Sequence, residues 1–218
     1  MFVTADGETR DTSRKYTGSA VATYVNGEIY EGTFEEGIRS GRGAYTYLNG
    51  DKYEGEWREN LKHGIGKMKY TGKGEYNGFW ENGRRHGEGI FTYPNGDYYS
   101  GWWKFGKKEG TGSYVFKADN MKIFGRWEGG TCVFGKWIYP NGMYYEGDFK
   151  NNKPCGQGQW FFPNGNSIDG SFAQEEKKAD EEDAPPDEGE QKKPEILLQW
   201  DANSHITSAA MSVNSVER

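Results

Sequence analysis

Residues 53–70 read Tyr-Glu-Gly-Glu-Trp-Arg-Glu-Asn-Leu-Lys-His-Gly-Ile-Gly-Lys-Met-Lys-Tyr, and this stretch decides the fold. Strand alternation places Tyr53, Gly55 and Trp57 on one face and the intervening charged residues on the other. A polar turn follows, and a Gly-x-Gly segment then begins a second alternating run. The stretch predicts a β-hairpin with one aromatic face and one mostly charged face.

The same hairpin pattern recurs along the chain every 23 residues. One aromatic series contains Tyr24, Tyr47, Tyr70, Tyr93, Phe116, Tyr139 and Phe162. A second series contains Phe34, Trp57, Trp80, Trp103, Trp127, Phe149 and Phe172, and only Trp127 departs from the period, by one residue. Self-similarity at a fixed period is the signature of a repeat architecture, so we predict seven hairpin units over residues 16–172.

The composition of the chain supports an open β-sheet. The 218 residues include 33 glycines, and aromatic residues make up 16% of the chain while all hydrophobic types reach only 33%. Because aliphatic residues are scarce, a globin-like or doubly wound fold is disfavoured. A glycine between two aromatic residues leaves room for a ring to lie across the backbone, so a single-layer sheet can bury apolar surface.

The repeated motif resembles the MORN family, the membrane occupation and recognition nexus repeat. The resemblance rests on Tyr-Glu-Gly-Glu-Trp at 53–57 and His-Gly-Glu-Gly at 86–89, and it covers about three quarters of the chain. It implies an elongated, curved, single-layer antiparallel sheet of about seven consecutive hairpins, a rod on the order of 65 Å long. The fifth unit departs from the motif at Ile123 and Val133, and its extra residue predicts a bulge or bend within 117–122.

The sequence divides into four regions. Residues 1–15 form an N-terminal extension, and residues 16–172 form the repeat array. Residues 173–195 are an acidic, Pro-containing stretch that we expect to be a disordered linker. Residues 196–218 form a C-terminal tail, which begins with the apolar segment Ile-Leu-Leu-Gln-Trp and is expected to dock on a partner.

No pattern of catalytic residues is recognisable in the sequence. His63 and His86 recur one period apart in turns, which favours a structural role, and Cys132 and Cys155 are predicted to be free thiols. Nucleophile elbows, phosphate-binding loops and metal-ligand motifs are missing, so we expect neither enzymatic activity nor a cofactor or metal. The net charge of −6 disfavours nucleic acid. Without an apolar spanning run or a signal peptide, the protein is expected to be soluble and intracellular.

Apolar residues interrupt the charged face after the third hairpin. An exposed apolar cluster of this kind favours a contact with another protein, although scattered exposed apolar residues are a second interpretation. The predicted protein-binding residues are Phe79, Trp102, Phe124, Val115, Ile138 and Phe161, together with Ile196, Leu197 and Trp200 of the tail. The predicted structural aromatic face comprises Tyr53, Trp57, Tyr76, Trp80, Tyr99, Trp103, Trp127 and Tyr145.

A surface that binds phosphoinositide-containing membrane is the alternative interpretation, in which the chain is an adaptor that tethers proteins to the bilayer. It rests on basic residues near corresponding turns, which are Arg84, Arg85, His86, Lys104, Lys107 and Lys108. Turn lysines also keep a hairpin array soluble and prevent edge pairing. A neutral array followed by an acidic linker lacks the polybasic excess that membrane binding needs, so a membrane partner is disfavoured.

Within the MORN family, the chain resembles the radial spoke head MORN-repeat proteins of cilia and flagella. The resemblance rests on the irregular fifth unit, Asn-Lys-Pro-Cys-Gly-Gln-Gly at 152–158, the acidic linker and Trp-Asp-Ala at 200–202 followed by Ile-Thr at 206–207. It implies a non-catalytic scaffold in the axoneme that supports motility. The implied partners are other spoke head subunits, a second MORN protein or another copy of the chain, and the central pair apparatus.

Overall fold

A computed structural model describes residues 1–176 and 196–207, with side chains described as far as residue 203. The described residues contain seventeen β-strands and no helix. Most of the expected linker, residues 177–195, and the end of the tail, residues 208–218, lie outside the described residues. The prediction of an all-β chain of antiparallel hairpins is confirmed.

The chain forms two compact units, the first spanning Met1–Gly130 and the second beginning at Thr131. The strands of the first unit are β1 (Phe2–Thr4), β2 (Thr9–Arg10), β3 (Gly18–Thr23), β4 (Ile29–Glu35), β5 (Ile38–Thr46), β6 (Lys52–Arg58), β7 (Leu61–Tyr70), β8 (Gly74–Glu81), β9 (Arg84–Thr92), β10 (Tyr98–Lys104), β11 (Lys107–Val115) and β12 (Lys122–Glu128). Those of the second are β13 (Thr131–Ile138), β14 (Tyr144–Lys150), β15 (Lys153–Phe161), β16 (Ser167–Glu176) and β17 (Ile196–Thr207).

From β3 onward, each strand pairs antiparallel with the next one in its own unit. The register places glycines opposite glycines: Gly55 of β6 lies between Gly43 of β5 and Gly66 of β7. Rows of paired glycines therefore run across the strands, and they open space for large rings on one side of the sheet.

In five hairpins a tyrosine ring fills the space over the pair of glycines. A Cβ atom at Gly66 would lie within 2.6 Å of the Tyr53 ring, so only glycine fits beneath it. The Tyr53 hydroxyl donates to the carbonyl oxygen of Glu56 at 2.9 Å, and Tyr76 makes the equivalent bond with Phe79. Each tyrosine is thereby fixed against the backbone of its own hairpin.

Tryptophans connect consecutive hairpins. The Tyr53 ring meets Trp57 and Trp80 edge to face, with centroid separations of 5.2 and 5.3 Å. The indole Nε1 of Trp80 donates to the carbonyl oxygen of Gly66 at 3.0 Å. Because the same contacts recur in the neighbouring repeats, aromatic rings form a continuous ladder along the sheet of the first unit.

The residues predicted for the structural aromatic face are all buried. Their exposed fractions are 5% or less, for Tyr53, Trp57, Tyr76, Trp80, Tyr99, Trp103, Trp127 and Tyr145. In each unit these buried rings lie on one face of the sheet, and in the first unit the other face remains available to solvent or partners.

The N-terminal extension adds strands that the repeat pattern does not predict. β1 pairs with both β2 and β3, so it extends the sheet beyond the first hairpin. Phe2 is 2% exposed and packs edge to face on Tyr16 and Phe34, each at 5.1 Å. The extension therefore covers the first aromatic ring of the ladder.

The tail likewise contributes a strand, β17, which the sequence analysis did not predict. It pairs antiparallel with β16 from Glu176 opposite Ile196 to Ser167 opposite Thr207. The Trp200 ring packs on Phe172 with centroids 4.9 Å apart. The whole predicted docking segment, residues 196–200, is therefore part of the sheet of the second unit.

The extra residue of the fifth unit lies in a turn. The Phe116 amide donates to the carbonyl oxygen of Met121, five residues on, whereas the Tyr93 amide of the preceding repeat reaches Asp97, four residues on. Pairing of β11 with β12 is continuous up to Val115 opposite Lys122. The bulge predicted within 117–122 does not occur, because a longer turn absorbs the insertion without disturbing the ladder.

Adjacent tryptophans allow a matched test of the two faces. Trp103 is 4% exposed and its indole donates to the Gly89 carbonyl oxygen at 3.0 Å, whereas Trp102 is 51% exposed. We expect Trp103→Phe to lower the free energy of unfolding by about 2 kcal/mol, because it removes a buried bond and leaves a small cavity. Trp102→Phe should change it by less than about 0.5 kcal/mol. Urea unfolding measures both, and equal losses would contradict the assignment of the faces.

Candidate protein-binding surface

The face opposite the aromatic ladder, called here the outer face, changes character along the first unit. On β6, its central residues are Glu54 and Glu56. On β8 the equivalent residues are Asn77 and Phe79, and β10 carries Ser100 and Trp102. The carboxylates that cover one hairpin are thus replaced by apolar and small polar side chains on the next two.

A shallow groove of about 560 Å³ lies on this part of the outer face. Its apolar side chains are between 44% and 56% exposed, and they come from five of the six strands β7 to β12. They are Ile65, Phe79, Ile90, Trp102 and Phe124. Such a concentration of exposed apolar side chains is typical of a binding surface.

The floor of the groove is low because its residues are small. Backbone of the glycine pairs contributes to it. Beside the glycines, Ile90 lies opposite Asn77 on one side and Ser100 on the other. The groove therefore offers hydroxyl and amide groups between its large apolar side chains.

Glu88 is the single charged residue among those that line the groove in the described part of the chain. It lies on β9, directly opposite Trp102 of β10 in the register. An exposed carboxylate beside an indole ring can bind a basic group through an ion pair and a cation–π contact.

Left-handed glycines support the two most prominent aromatic side chains. Gly87 (φ 58°) and Gly110 (φ 63°) lie across from Phe79 and Trp102. A Cβ at Gly87 would come within 3.3 Å of the Phe79 Cβ, and one at Gly110 within 3.5 Å of the Trp102 Cβ. Replacement of either glycine would strain the backbone and crowd the ring, because left-handed φ values disfavour residues with a Cβ.

The structure brings three of the predicted protein-binding residues together. Phe79, Trp102 and Phe124 all line the groove. Val115 is half-buried, opposite Tyr98 and Lys122 on the same face.

Other predicted residues lie in the second unit. Ile138 and Phe161 lie opposite Tyr144, on either side of it, and the Phe161 ring stacks on Tyr144 at 4.6 Å. Both are half-buried. Their packing within the second unit accounts for their apolar character without a partner.

The predicted docking residues of the tail differ in exposure. Leu197 is 49% exposed, whereas Ile196 is half-buried. Trp200 packs on Phe172 and meets Tyr145 and Trp160 at 6.1 and 6.4 Å. Because Trp200 already has partners within the chain, its contact with another protein stays a prediction.

Sequence reasoning missed two groove residues, Ile65 and Ile90. Each occupies an outward position next to a Gly-x-Gly glycine, so the alternation that identified Phe79 also identifies them.

Sequence reasoning also missed a cationic series, that is, a set of basic residues that recur every 23 positions. The cation of each repeat lies over the tryptophan of the following repeat, at 4.4 to 4.8 Å from the ring centroid. The pairs are Arg39 with Trp57, Lys62 with Trp80, Arg85 with Trp103 and Lys108 with Trp127. A cation is attracted to the face of an aromatic ring, but at Lys62 and Lys108 burial opposes this attraction and lowers the pKa of the ammonium group.

This series changes the interpretation of the predicted basic edge. Arg85 and Lys108 lie on the aromatic side over indole rings, and Arg85 also donates to the Gly106 carbonyl oxygen at 2.7 Å. His86 contacts Glu81 at 3.2 Å. Of the six, Arg84, Lys104 and Lys107 are exposed, and the other three are half-buried. The structure therefore does not bring the six residues together as one basic surface.

Groups suited to catalysis or metal binding are not assembled in the described residues. Their histidine, cysteine, aspartate and glutamate side chains form no cluster of three that could hold a metal ion. Cys132 and Cys155 are free, and burial raises the pKa of the Cys132 thiol to about 11. Among the described residues, no helix has the length and hydropathy to cross a bilayer.

The MORN repeat model matches six segments of the chain, residues 30–52, 53–74, 76–98, 99–121, 124–144 and 145–167. These segments make up more than half of the sequence, so the chain belongs to the MORN-repeat family. Its repeats form a protein-binding scaffold, and no catalytic family is indicated. No curated protein sequence matches the chain significantly.

Two solved structures from Drosophila melanogaster resemble the fold. One is the TCP domain of SAS-4 (dCPAP) in complex with a proline-rich motif of Ana2 (dSTIL), with 22% identity, a TM-score of 0.43 and coverage of 67% of this chain and 79% of that one. The other is the TCP10c domain of Sas-4, with 12% identity, a TM-score of 0.39 and coverage of 72% and 90%. At these TM-scores the likeness carries no functional inference for this chain.

The stacked lysine leads to a prediction on pH dependence. Burial, with the nearby Arg85, lowers the pKa of Lys108 from 10.5 to about 8. Above pH 8 the unfolded chain retains this proton while the folded chain releases it, so the burial cost of Lys108 is relieved and stability rises. Because Lys108→Met removes the titrating group, we expect the free energy of unfolding of this variant not to show this rise between about pH 8 and 9.5. Chemical unfolding across the pH range measures it, with the exposed neighbour variant Lys107→Met as control; equal slopes in the two variants would contradict it.

Proposed function

We propose that this chain is a non-catalytic scaffold of the radial spoke head of motile cilia and flagella, and that its outer face binds other spoke head subunits. The observation that carries the proposal is the groove itself. Five exposed apolar side chains are grouped on one part of the outer face. Because the aromatic ladder already holds the hairpins together, these side chains are not needed for the fold and are free to bind a partner.

The assignment to the spoke head is supported by sequence features outside the repeat motif. These are the irregular fifth unit, the segment 152–158 and the run that begins at Trp200. Two of them have structural counterparts: the insertion forms a longer turn, and the Trp200 segment forms β17. On this proposal the protein acts in the cytoskeleton, in the axoneme, and supports ciliary motility by connecting neighbouring subunits.

The proposed mechanism is passive positioning of partners. Ring contacts cross-link the sheet of the first unit from one repeat to the next, so this sheet resists local opening and holds the groove residues in fixed positions. The groove offers one contact, and the exposed Leu197 of β17 offers a second one in the other unit. When a partner is bound at one contact, the effective concentration of the other contact rises, and the assembly becomes more stable than either contact alone would make it.

Pull-down of tagged full-length protein from ciliary axonemes tests the function. We expect spoke head subunits to be captured, and we expect Trp102→Glu to reduce capture about tenfold, because a charge would be placed in the apolar groove. Phe105→Glu is the matched control, since Phe105 is 62% exposed and lies outside the groove. Thermal unfolding of all variants checks that they fold.

Flotation with phosphoinositide-containing liposomes at physiological salt covers the membrane alternative. We expect the protein to stay with the soluble fraction. Flotation without capture of axonemal subunits would overturn the spoke head assignment and favour a membrane-tethering adaptor.

A further inference from the structure

The spacing of aromatic side chains in the groove selects one class of partner segment. Phe79 follows Gly78 and Trp102 follows Gly101, and both glycines pair with Gly89 of the intervening strand β9. The two residues therefore occupy equivalent positions on strands β8 and β10, which lie on either side of β9. At about 4.8 Å per strand, the backbones of β8 and β10 are about 9.6 Å apart.

One turn of a polyproline II helix has nearly this length. Its rise of about 3.1 Å per residue and three residues per turn give about 9.3 Å between successive equivalent residues. In an extended strand, residues three apart point to opposite faces, and in an α-helix the nearest equivalent pair, seven apart, spans about 10.5 Å. Among regular conformations, polyproline II thus matches the Phe79 to Trp102 spacing most closely.

The negative charge of Glu88 in the groove indicates which side chains the partner segment carries. Glu88 lies on β9 between the strands that carry the two rings, and no ion pair to it occurs among the described side chains. A basic side chain on the ligand would meet this carboxylate while it stacks against Trp102. No other lining residue carries a charge, so an acidic ligand would gain no ion pair and would be repelled.

Hydrogen-bonding groups in the groove suit the same ligand. A polyproline II segment has no internal hydrogen bonds, and its carbonyl oxygens remain available as acceptors. Asn77, Ser100 and Ser113 offer donors, and the register places them in one row with Ile90 and Phe124. This row and the row of Phe79, Glu88 and Trp102 lie on either side of the paired glycines, so a narrow segment that crosses the strands can contact both rows.

We propose that the groove binds a proline-rich segment of a partner protein in the polyproline II conformation, with residues three apart against Phe79 and Trp102 and a basic residue at Glu88. This inference rests on the proposed function and names the chemistry of its partner. The segment is pre-organised, so little conformational entropy is lost when it binds.

The test is fluorescence anisotropy of the full-length protein with a labelled peptide of four Pro-Pro-Arg triplets at physiological salt. One control peptide has four Gly-Ser-Arg triplets, which keep the charge and remove the polyproline II preference. A second has four Pro-Pro-Glu triplets, which keep the conformation and reverse the charge. We expect the Pro-Pro-Arg peptide to bind at least about tenfold more tightly than either control.

Variants assign the binding to the groove. Trp102→Ala and Glu88→Gln should each weaken binding about tenfold, and Phe105→Ala should leave it unchanged. Thermal unfolding establishes that the variants are folded, and Trp102→Phe, which should weaken binding less, replaces the alanine variant if that variant unfolds. Equal binding of Pro-Pro-Arg and Gly-Ser-Arg, no binding of Pro-Pro-Arg, or binding insensitive to Trp102 and Glu88 would overturn the proposal.

Two outcomes separate this inference from the proposed function. Capture of spoke head subunits that depends on Trp102, without peptide binding, would overturn only the proline-rich ligand. Peptide binding that depends on Trp102, without capture of spoke head subunits, would support the ligand class and overturn the axonemal assignment.

Discussion

The packing of a tyrosine ring over a pair of glycines is the contact on which the rest of the structure depends. The ring lies so close to the backbone that no Cβ fits beneath it, as at Tyr53 over Gly66. Tryptophans from the same and the following repeat meet the ring edge to face, and each indole donates to a glycine carbonyl oxygen of the preceding hairpin. The same rings thus make contacts within a hairpin and contacts with the next hairpin. For this reason, repetition of a single motif is enough to build a sheet.

This arrangement gives the two faces separate roles. The aromatic side supplies the buried apolar surface, so the outer face is not required to pack against anything within its unit. Side chains there vary from Glu56 to Phe79 to Trp102 at equivalent positions of successive repeats. A repeat scaffold can therefore acquire a binding surface by single outward substitutions, at little cost in stability because those positions are exposed.

Much of the fold could be predicted from the sequence because two patterns are visible in it. These are the alternation of side chains along each strand and the 23-residue repeat of the hairpin. They identified the aromatic face, including Tyr76 and Trp80, and the outward Phe79 and Trp102. The strand β17 could not be predicted, since a chain segment beyond an acidic stretch has no periodic signal. The cationic series was equally hidden: Arg85 and Lys108 look like turn cations in sequence, and only the structure shows them over indole rings.

The central claim is that the groove on the outer face is where partners bind, while the aromatic side is structural. Site-specific photo-crosslinking in axonemes tests it most directly, with a photoreactive phenylalanine analogue at Phe79 or, as control, at Phe105, both of which are exposed. The account predicts covalent adducts with a spoke head subunit from position 79 and none from position 105. Adducts from position 105 alone, or from neither position, would contradict it.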